Sequence, residues 1–332
     1  MKVAVIGAGD MGSVHAKGWT SFGMEVAAIS DVDMERCSRL SAEVGATPYA
    51  SYQEALSRTD IDIVSVCIPV SLHADVSCFA LEHGMHVLCE KPIALTLKEA
   101  DRMIAAAEAS HRFLSVSYQY RCFEYFAEIR RRFRQGDFGE HIFAHFADVR
   151  EVRPKTAMHR KSMNGGPIID AAGHFFDIMR FITGAEPVLV SARGQTFGAG
   201  KARLRGIDDL AIDAADIQVT MSGGHLLHAF MNWGMPEGFK GYMEFSITGP
   251  ELQLTMRDGV VEAHYRGRKE RWSDFASTFH SATSFRIDDM IRAATKGEPP
   301  EVSGLEGRRA LAVSLAALES IDRGTEISLP GR

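Results

Sequence analysis

The chain has 332 residues, about two domains at the usual domain size. Its 45% apolar and 24% charged residues exclude disordered and fibrous classes and provide enough apolar side chains for a sizeable core. The 37 Lys and Arg against 43 Asp and Glu leave a formal charge of -6, which argues against a polyanionic partner such as nucleic acid. The local run Arg130, Arg131, Arg132, Arg134 shares its stretch with Phe126, Ile129 and Phe133 at core spacing, so it reads as the solvated face of a helix. Five cysteines, with no C-x-x-C pair and none after Cys122, read as reduced thiols. The N-terminal apolar run is cut by Gly7 and Gly9, and no segment approaches the roughly 20 apolar residues of a membrane span, so the expected location is cytoplasmic.

Short apolar runs alternate with helical patterns through the first third. The runs are Val3 to Ile6, Val26 to Ser30, Ile63 to Ile68, His86 to Cys89 and Phe113 to Val116. The helical stretches are Met11 to Ser21, Met34 to Glu43, Ala74 to Glu82 and Leu97 to Ala109. Strands without alternation are covered on both faces, which predicts a doubly wound parallel α/β domain over residues 1–120. Beyond it, Ile142 to Val149, Val188 to Gln195, Ala214 to Met221, Leu226 to Asn232 and Tyr242 to Thr248 are longer and alternate, predicting a mostly antiparallel sheet in a second α/β domain over 121–332. One helix is expected from Pro167, a favoured first helical residue, to Gly184, a favoured stop. Another runs from Leu305 to Asp322, and the charged, glycine-bearing loop Gly198 to Asp209 is the expected mobile segment.

Gly7-Ala8-Gly9-Asp10-Met11-Gly12 lies between the first strand and the first helix. Gly7 permits the tight turn, Gly9 admits a pyrophosphate to the backbone, and Gly12 lets helix and strand pack closely. Asp31 ends the second strand, where a carboxylate accepts hydrogen bonds from ribose hydroxyls. The competing reading is a ligand-free glycine turn. Asp31 would repel a 2′-phosphate and Arg36 stands only a turn later, so the expected cofactor is NAD, with NADP left open.

The fifth strand ends in Glu90-Lys91-Pro92, at the sheet edge where open α/β sheets bind ligands. Lys91 is suited to stabilising an alkoxide; the alternative is an ordinary strand-ending ion pair. Asp170 and His174 are spaced i, i+4 on the helix starting at Pro167, so a carboxylate would orient an imidazole that takes a proton near neutral pH. A helix-stabilising pair and a metal site are the alternatives, the latter without a Cys or second His ligand nearby. His141 and His145 read as structural.

Together these residues make the chain resemble the glucose-fructose oxidoreductase, inositol dehydrogenase and MocA-type family. The carriers are Gly7 to Gly12, Ile68-Pro69 with His73, His86 to Pro92, Gln119 to Phe123, and Asn164 to His174. The resemblance covers essentially the whole chain. It implies that Lys91, Asp170 and His174 flank a nicotinamide, and that Gly7, Gly9, Asp10, Met11, Gly12, Asp31, Ile68, Pro69, His73, Glu90, Lys91 and Gln119 contact the cofactor. It also implies an open second sheet that builds a homo-oligomer. Ser71, Asn164 and the pair Ala172-Gly173 depart from the family pattern without removing a catalytic group.

The expected function is therefore hydride transfer between NAD(P) and a secondary alcohol of a sugar, cyclitol or related polyol. His174 is the base, Asp170 its orienter and Lys91 the alkoxide stabiliser, with no metal. Tyr118, Tyr120, Arg121, Arg153 and Trp233 are candidates for the substrate wall. Two alternatives remain at this stage: glycoside cleavage through transient oxidation, and a non-catalytic nucleotide-binding regulator.

Overall fold

The computed structural model describes residues 1–57, 60–265, 267–272 and 279–330, with the backbone alone for 279–285. The chain folds as two units, Met1–Cys122 with Ser277–Arg308, and Phe123–Ala276 with Arg309–Arg332. The single boundary expected at 120/121 therefore meets a discontinuous first unit, because a late segment returns to it.

In the first unit the chain runs β1 (Lys2–Ile6), α1 (Asp10–Ser21), β2 (Glu25–Ser30), α2 (Met34–Val44), β3 (Thr47–Tyr49), α3 (Tyr52–Leu56), β4 (Ile63–Val66), α4 (His73–Glu82), β5 (His86–Cys89), α5 (Leu97–Ala109) and β6 (Leu114–Val116). The six strands form one parallel sheet in the order β3-β2-β1-β4-β5-β6. The order reverses beside β1, so the crevice at the carboxyl ends of β1 and β4 is the switch point where such sheets bind ligands. Val3, Val5, Ile29, Ile63 and Leu88 are buried in one cluster, which explains why these strands read as unbroken apolar runs. The short β3 and α3 escape a periodicity argument, since three residues cannot establish a period.

The second unit begins with α6 (Glu124–Arg134) and β7 (Phe143–Glu151). The single helix expected from Pro167 is two, α7 (Pro167–Asp170) and α8 (Ala172–Thr183), broken at Ala171, whose φ of -120° departs from helical geometry. There follow β8 (Pro187–Gln195), β9 (Ala214–Met221), β10 (Leu226–Met235), β11 (Tyr242–Thr248), β12 (Gln253–Arg257), β13 (Val260–Tyr265) and β14 (Arg268–Trp272). The chain closes with α9 (Phe279–Lys296), α10 (Gly304–Arg323) and β15 (Ile327–Ser328). The nine-stranded sheet runs β14-β13-β12-β11-β7-β10-β9-β8-β15. It is antiparallel except where β7 and β10 pair in parallel.

Against one face of that sheet Phe146 stacks on Phe175 of α8 and meets Phe126 and Phe245. The arginine run on α6 is tied down locally: Arg131 and Arg132 pair with Glu128, and Arg130 lies over the Phe181 ring. The loop Gly198 to Asp209 is anchored, because Asp213 accepts the amides of Phe197 and Gly198, and Leu204 is buried.

The late segment completes the first unit. Ile287, Met290 and Ala293 of α9 join the cluster around Ala16 and Trp19 of α1, and a Cβ at Gly18 would stand 2.5 Å from Ile287 Cδ1. Val116 donates its amide to the Val302 carbonyl, extending the sheet edge beyond β6.

Candidate functional site

The turn after β1 has the glycines its geometry demands. Gly7 has φ +100°, and a Cβ on Gly12 would sit 1.8 Å from the Gly7 carbonyl oxygen. A Cβ on Gly9 meets nothing within 4 Å, so the chain is open there. No side chain caps the N-terminus of α1, which suits that end to an external anion. These features fit a dinucleotide pyrophosphate.

Asp31 stands at the end of β2. Its Oδ2 accepts the Ala8 amide at 2.6 Å, while Oδ1 accepts the Asp33 amide at 2.9 Å and Arg36 Nη2 at 2.8 Å. Burial works to raise its pKa, but Arg36 and the two amides outweigh this and hold the carboxyl below its ordinary range. Asp31 is thus an ionised acceptor fixed beside the turn, and Arg36, a turn along the chain, is its partner.

The Glu90-Lys91-Pro92 segment follows β5, with a cis peptide between Lys91 and Pro92. Lys91 is partly exposed, whereas Glu90 is buried. Glu90 Oε1 lies 2.9 Å from His15 Nε2, and Oε2 accepts the Lys91 amide at 3.3 Å. His15 Nδ1 is 3.1 Å from Ser65 Oγ, which also accepts the Trp19 indole N–H at 2.7 Å. His73, 1% exposed, places Nδ1 2.9 Å from the Pro92 carbonyl and Nε2 2.9 Å from the Ile68 carbonyl, so its ring is engaged by the two loops that follow β4 and β5. Gln119 is buried, and Arg121 is 8% exposed and paired with Glu306 at 2.8 Å, which commits that guanidinium to an internal partner.

In the second unit Asp170 ends α7 and His174 lies in the first turn of α8; both are buried. The break at Ala171 replaces the continuous helical turn on which their sequence spacing was read, and the His174 amide donates to the Ala171 carbonyl. Gly165 and Gly166, both with positive φ, lead into α7, and Gly166 could not carry a Cβ without meeting Ala211 at 2.4 Å.

Trp233 is buried and donates its indole N–H to Asp148 Oδ2 at 3.0 Å, while the guanidinium groups of Arg150 and Arg153 lie over its ring. Arg150 and Arg153 line a cavity of about 300 Å³ with Glu151, Phe239, Tyr242 and Met243. His159 accepts the Arg153 amide on Nε2 at 2.9 Å. Burial, reinforced by the Arg153 charge, pushes its pKa down to about 4.

Three buried histidines, His15, His159 and His225, escape the sequence reading. His15 is visible only as a polar residue on the inner side of α1, and its partners are 50 and 75 positions away. His145 and His228 approach Nδ1 to Nδ1 at 2.7 Å across the parallel strand pair, and His141 Nδ1 bonds to the Gly223 carbonyl, consistent with structural roles.

A parallel six-stranded sheet opening on an uncapped glycine turn, with an acid at the end of its second strand, defines a dinucleotide-binding α/β protein. A family model described as an oxidoreductase family with an NAD-binding Rossmann fold matches residues 1–118, and the Gfo/Idh/MocA C-terminal domain matches residues 126–255. The chain belongs to the Gfo/Idh/MocA oxidoreductase family, and its first domain is the NAD-binding Rossmann domain of that family.

It is 25% identical over 330 residues to the UDP-N-acetylglucosamine 3-dehydrogenase of Acidithiobacillus ferrooxidans, covering 97% of each chain. It is also 25% identical over 336 residues to the myo-inositol 2-dehydrogenase of Thermotoga maritima, covering 99% of this chain and 98% of that one. The solved structure of a levoglucosan dehydrogenase in complex with NADH shares the fold, with TM-score 0.88 at 20% identity and 100% of both chains covered. Among the described residues no helix is long and apolar enough to cross a membrane.

Proposed function

We propose that this oxidoreductase moves hydride between NAD and a secondary alcohol carbon of a sugar, cyclitol or related polyol. The observation that carries the reading is the likeness, along nearly the whole chain, to dehydrogenases of inositol and of a nucleotide sugar. When bound, the nicotinamide accepts or returns the hydride. The chain's own groups handle the proton and the charge. His174 takes the proton from the substrate hydroxyl and Asp170 orients the ring. Lys91 donates a charge-assisted hydrogen bond to the oxygen as alkoxide character develops. The glycine turn and the α1 N-terminus would hold the pyrophosphate, Asp31 would receive the ribose hydroxyls, and the loops at Ile68-Pro69 and Glu90-Lys91 would serve the nicotinamide end.

Trp233, with Arg153 over its ring, forms part of the substrate wall, with Tyr120 as a further candidate. The first domain serves the cofactor and the second the substrate. The protein works in the cytoplasm as a homo-oligomer joined through the large sheet, a reading supported by Phe143, Leu226 and Tyr242 standing exposed on strands of that sheet.

A panel of cyclitols, aldoses and uronic acids, scored by NADH absorbance, tests this. At least one substrate is expected to accumulate NADH, and Lys91→Ala or His174→Asn is expected to lower kcat by about 100-fold or more while NAD still binds. Full activity of Lys91→Ala overturns the assignment. Turnover without net NADH would point instead to transient oxidation.

A further inference from the structure

The buried chain from Trp19 to Glu90 has a direction fixed by its chemistry. An indole N–H only donates, so Ser65 Oγ accepts from Trp19 at 2.7 Å and has its own proton free for His15 Nδ1 at 3.1 Å. His15 Nδ1 is then an acceptor, and the ring's single proton resides on Nε2, aimed at Glu90 Oε1 at 2.9 Å. His15, Ser65 and Glu90 are 0%, 0% and 5% exposed, so water does not substitute for these bonds. Every donor in the chain points toward a carboxylate that lies one residue before Lys91 and accepts the Lys91 amide.

We propose that His15 is a positioning residue for the reaction: it holds Glu90 ionised and in place, so that Glu90 fixes the backbone and the local charge from which Lys91 reaches the substrate oxygen. This rests on the reading of Lys91 given above. The groups that bear on Glu90 are His15 on α1, His73 on α4, Lys91 beside it, the Ser117 hydroxyl, and the thiols of Cys67 and Cys89. Burial alone would raise the Glu90 pKa, and the hydrogen bond from His15, the charge of Lys91 and a hydrogen bond from Ser117 bring it below the ordinary carboxylate range. Both thiols are driven up by burial and stay neutral. Without the His15 donor, burial acts on Glu90 with less opposition, and the carboxyl protonates at a higher pH.

The test is the pH profile of kcat in the full-length enzyme with saturating NAD and the best substrate of the panel. In His15→Ala, kcat is expected to fall about tenfold or more and its acid limb to move up by about one pH unit, while the Kd for NAD changes by less than about threefold. His15→Gln, whose amide N–H can replace the Nε2 donor, is expected to restore the limb and most of the turnover. In a Glu90→Gln background the part of the limb that belongs to Glu90 is absent and that of His174 remains, and adding His15→Ala is expected to leave the profile unmoved. An unmoved limb in His15→Ala overturns the proposal, as does a loss that His15→Gln does not relieve. Should His15→Ala fail to fold, Glu90→Gln alone decides: a kcat and an acid limb both equal to those of the parent overturn it. Lys91→Ala separates the two readings, since full turnover there removes the Lys91 assignment, whereas an inactive Lys91→Ala with an unaffected His15→Ala removes only this one.

Discussion

At the scale of single residues, the geometry around Asp31 gives the sharpest expectation. Its two oxygens receive two backbone amides and Arg36, so the carboxylate is rigid and charged before a ribose arrives. A hydrogen bond to a charged acceptor contributes about 1.5–3 kcal/mol, roughly a ten- to hundredfold effect on binding. Asp31→Ala is therefore expected to raise the KM for NAD by about that factor and to narrow the preference for NAD over NADP, because the charge that repels a 2′-phosphate is gone while Arg36 remains. Initial rates with both coenzymes check this, and an unchanged NAD to NADP ratio would contradict it.

Among the elements, α5 shows how local chemistry sets a boundary. Thr96 accepts the Glu99 amide and Glu99 returns a bond to the Thr96 amide, a reciprocal capping box. Thr96→Ala is expected to cost about 1 kcal/mol in urea denaturation, with activity at low temperature retained. The glycine turn and the buried strands were legible in the sequence because their causes are local. The glycine turn is written in Gly7, Gly9 and Gly12, and the buried strands in their unbroken apolar runs. Features with distant causes were not. The break at Ala171 lies inside a pattern that reads as continuous helix. The pairing of β7 with β10 joins segments far apart in the chain, and the role of His15 depends on Ser65 and Glu90. The spacing of Asp170 and His174 picked out two buried residues, but the helical face on which it was argued is interrupted between them.

Over the whole molecule, buried and half-buried histidines set the response to acid. Burial lowers the pKa of His73, His86, His145 and His225, and takes His159 to about 4. Each folded value lies below the unfolded value near 6.5, so the unfolded chain binds more protons. Stability is complete above about pH 6.5 and falls as the pH drops toward the folded values. His159 alone accounts for at most about 3 kcal/mol by pH 4. Paired carboxylates such as Asp31 and Glu90 add losses of the same sign at lower pH. The melting temperature is expected to fall steeply between pH 6.5 and 4, and His159→Gln to flatten that fall. A melting temperature independent of pH over this range would contradict it.

The return of α9 to the first unit also bears on how the protein is made. A ribosome delivers the chain from its N-terminus, and α1 is complete about 260 residues before Ile287, Met290 and Ala293 exist. Until then the apolar side of α1 around Ala16 and Trp19 lacks its cover, even though the strands that carry the nucleotide turn have already been synthesised. The strands of the cofactor domain are thus translated well before the helix that completes its core. Premature termination anywhere before α9 leaves it with an open hydrophobic seam, an opportunity for chaperones or for aggregation that a domain contiguous in sequence would not present.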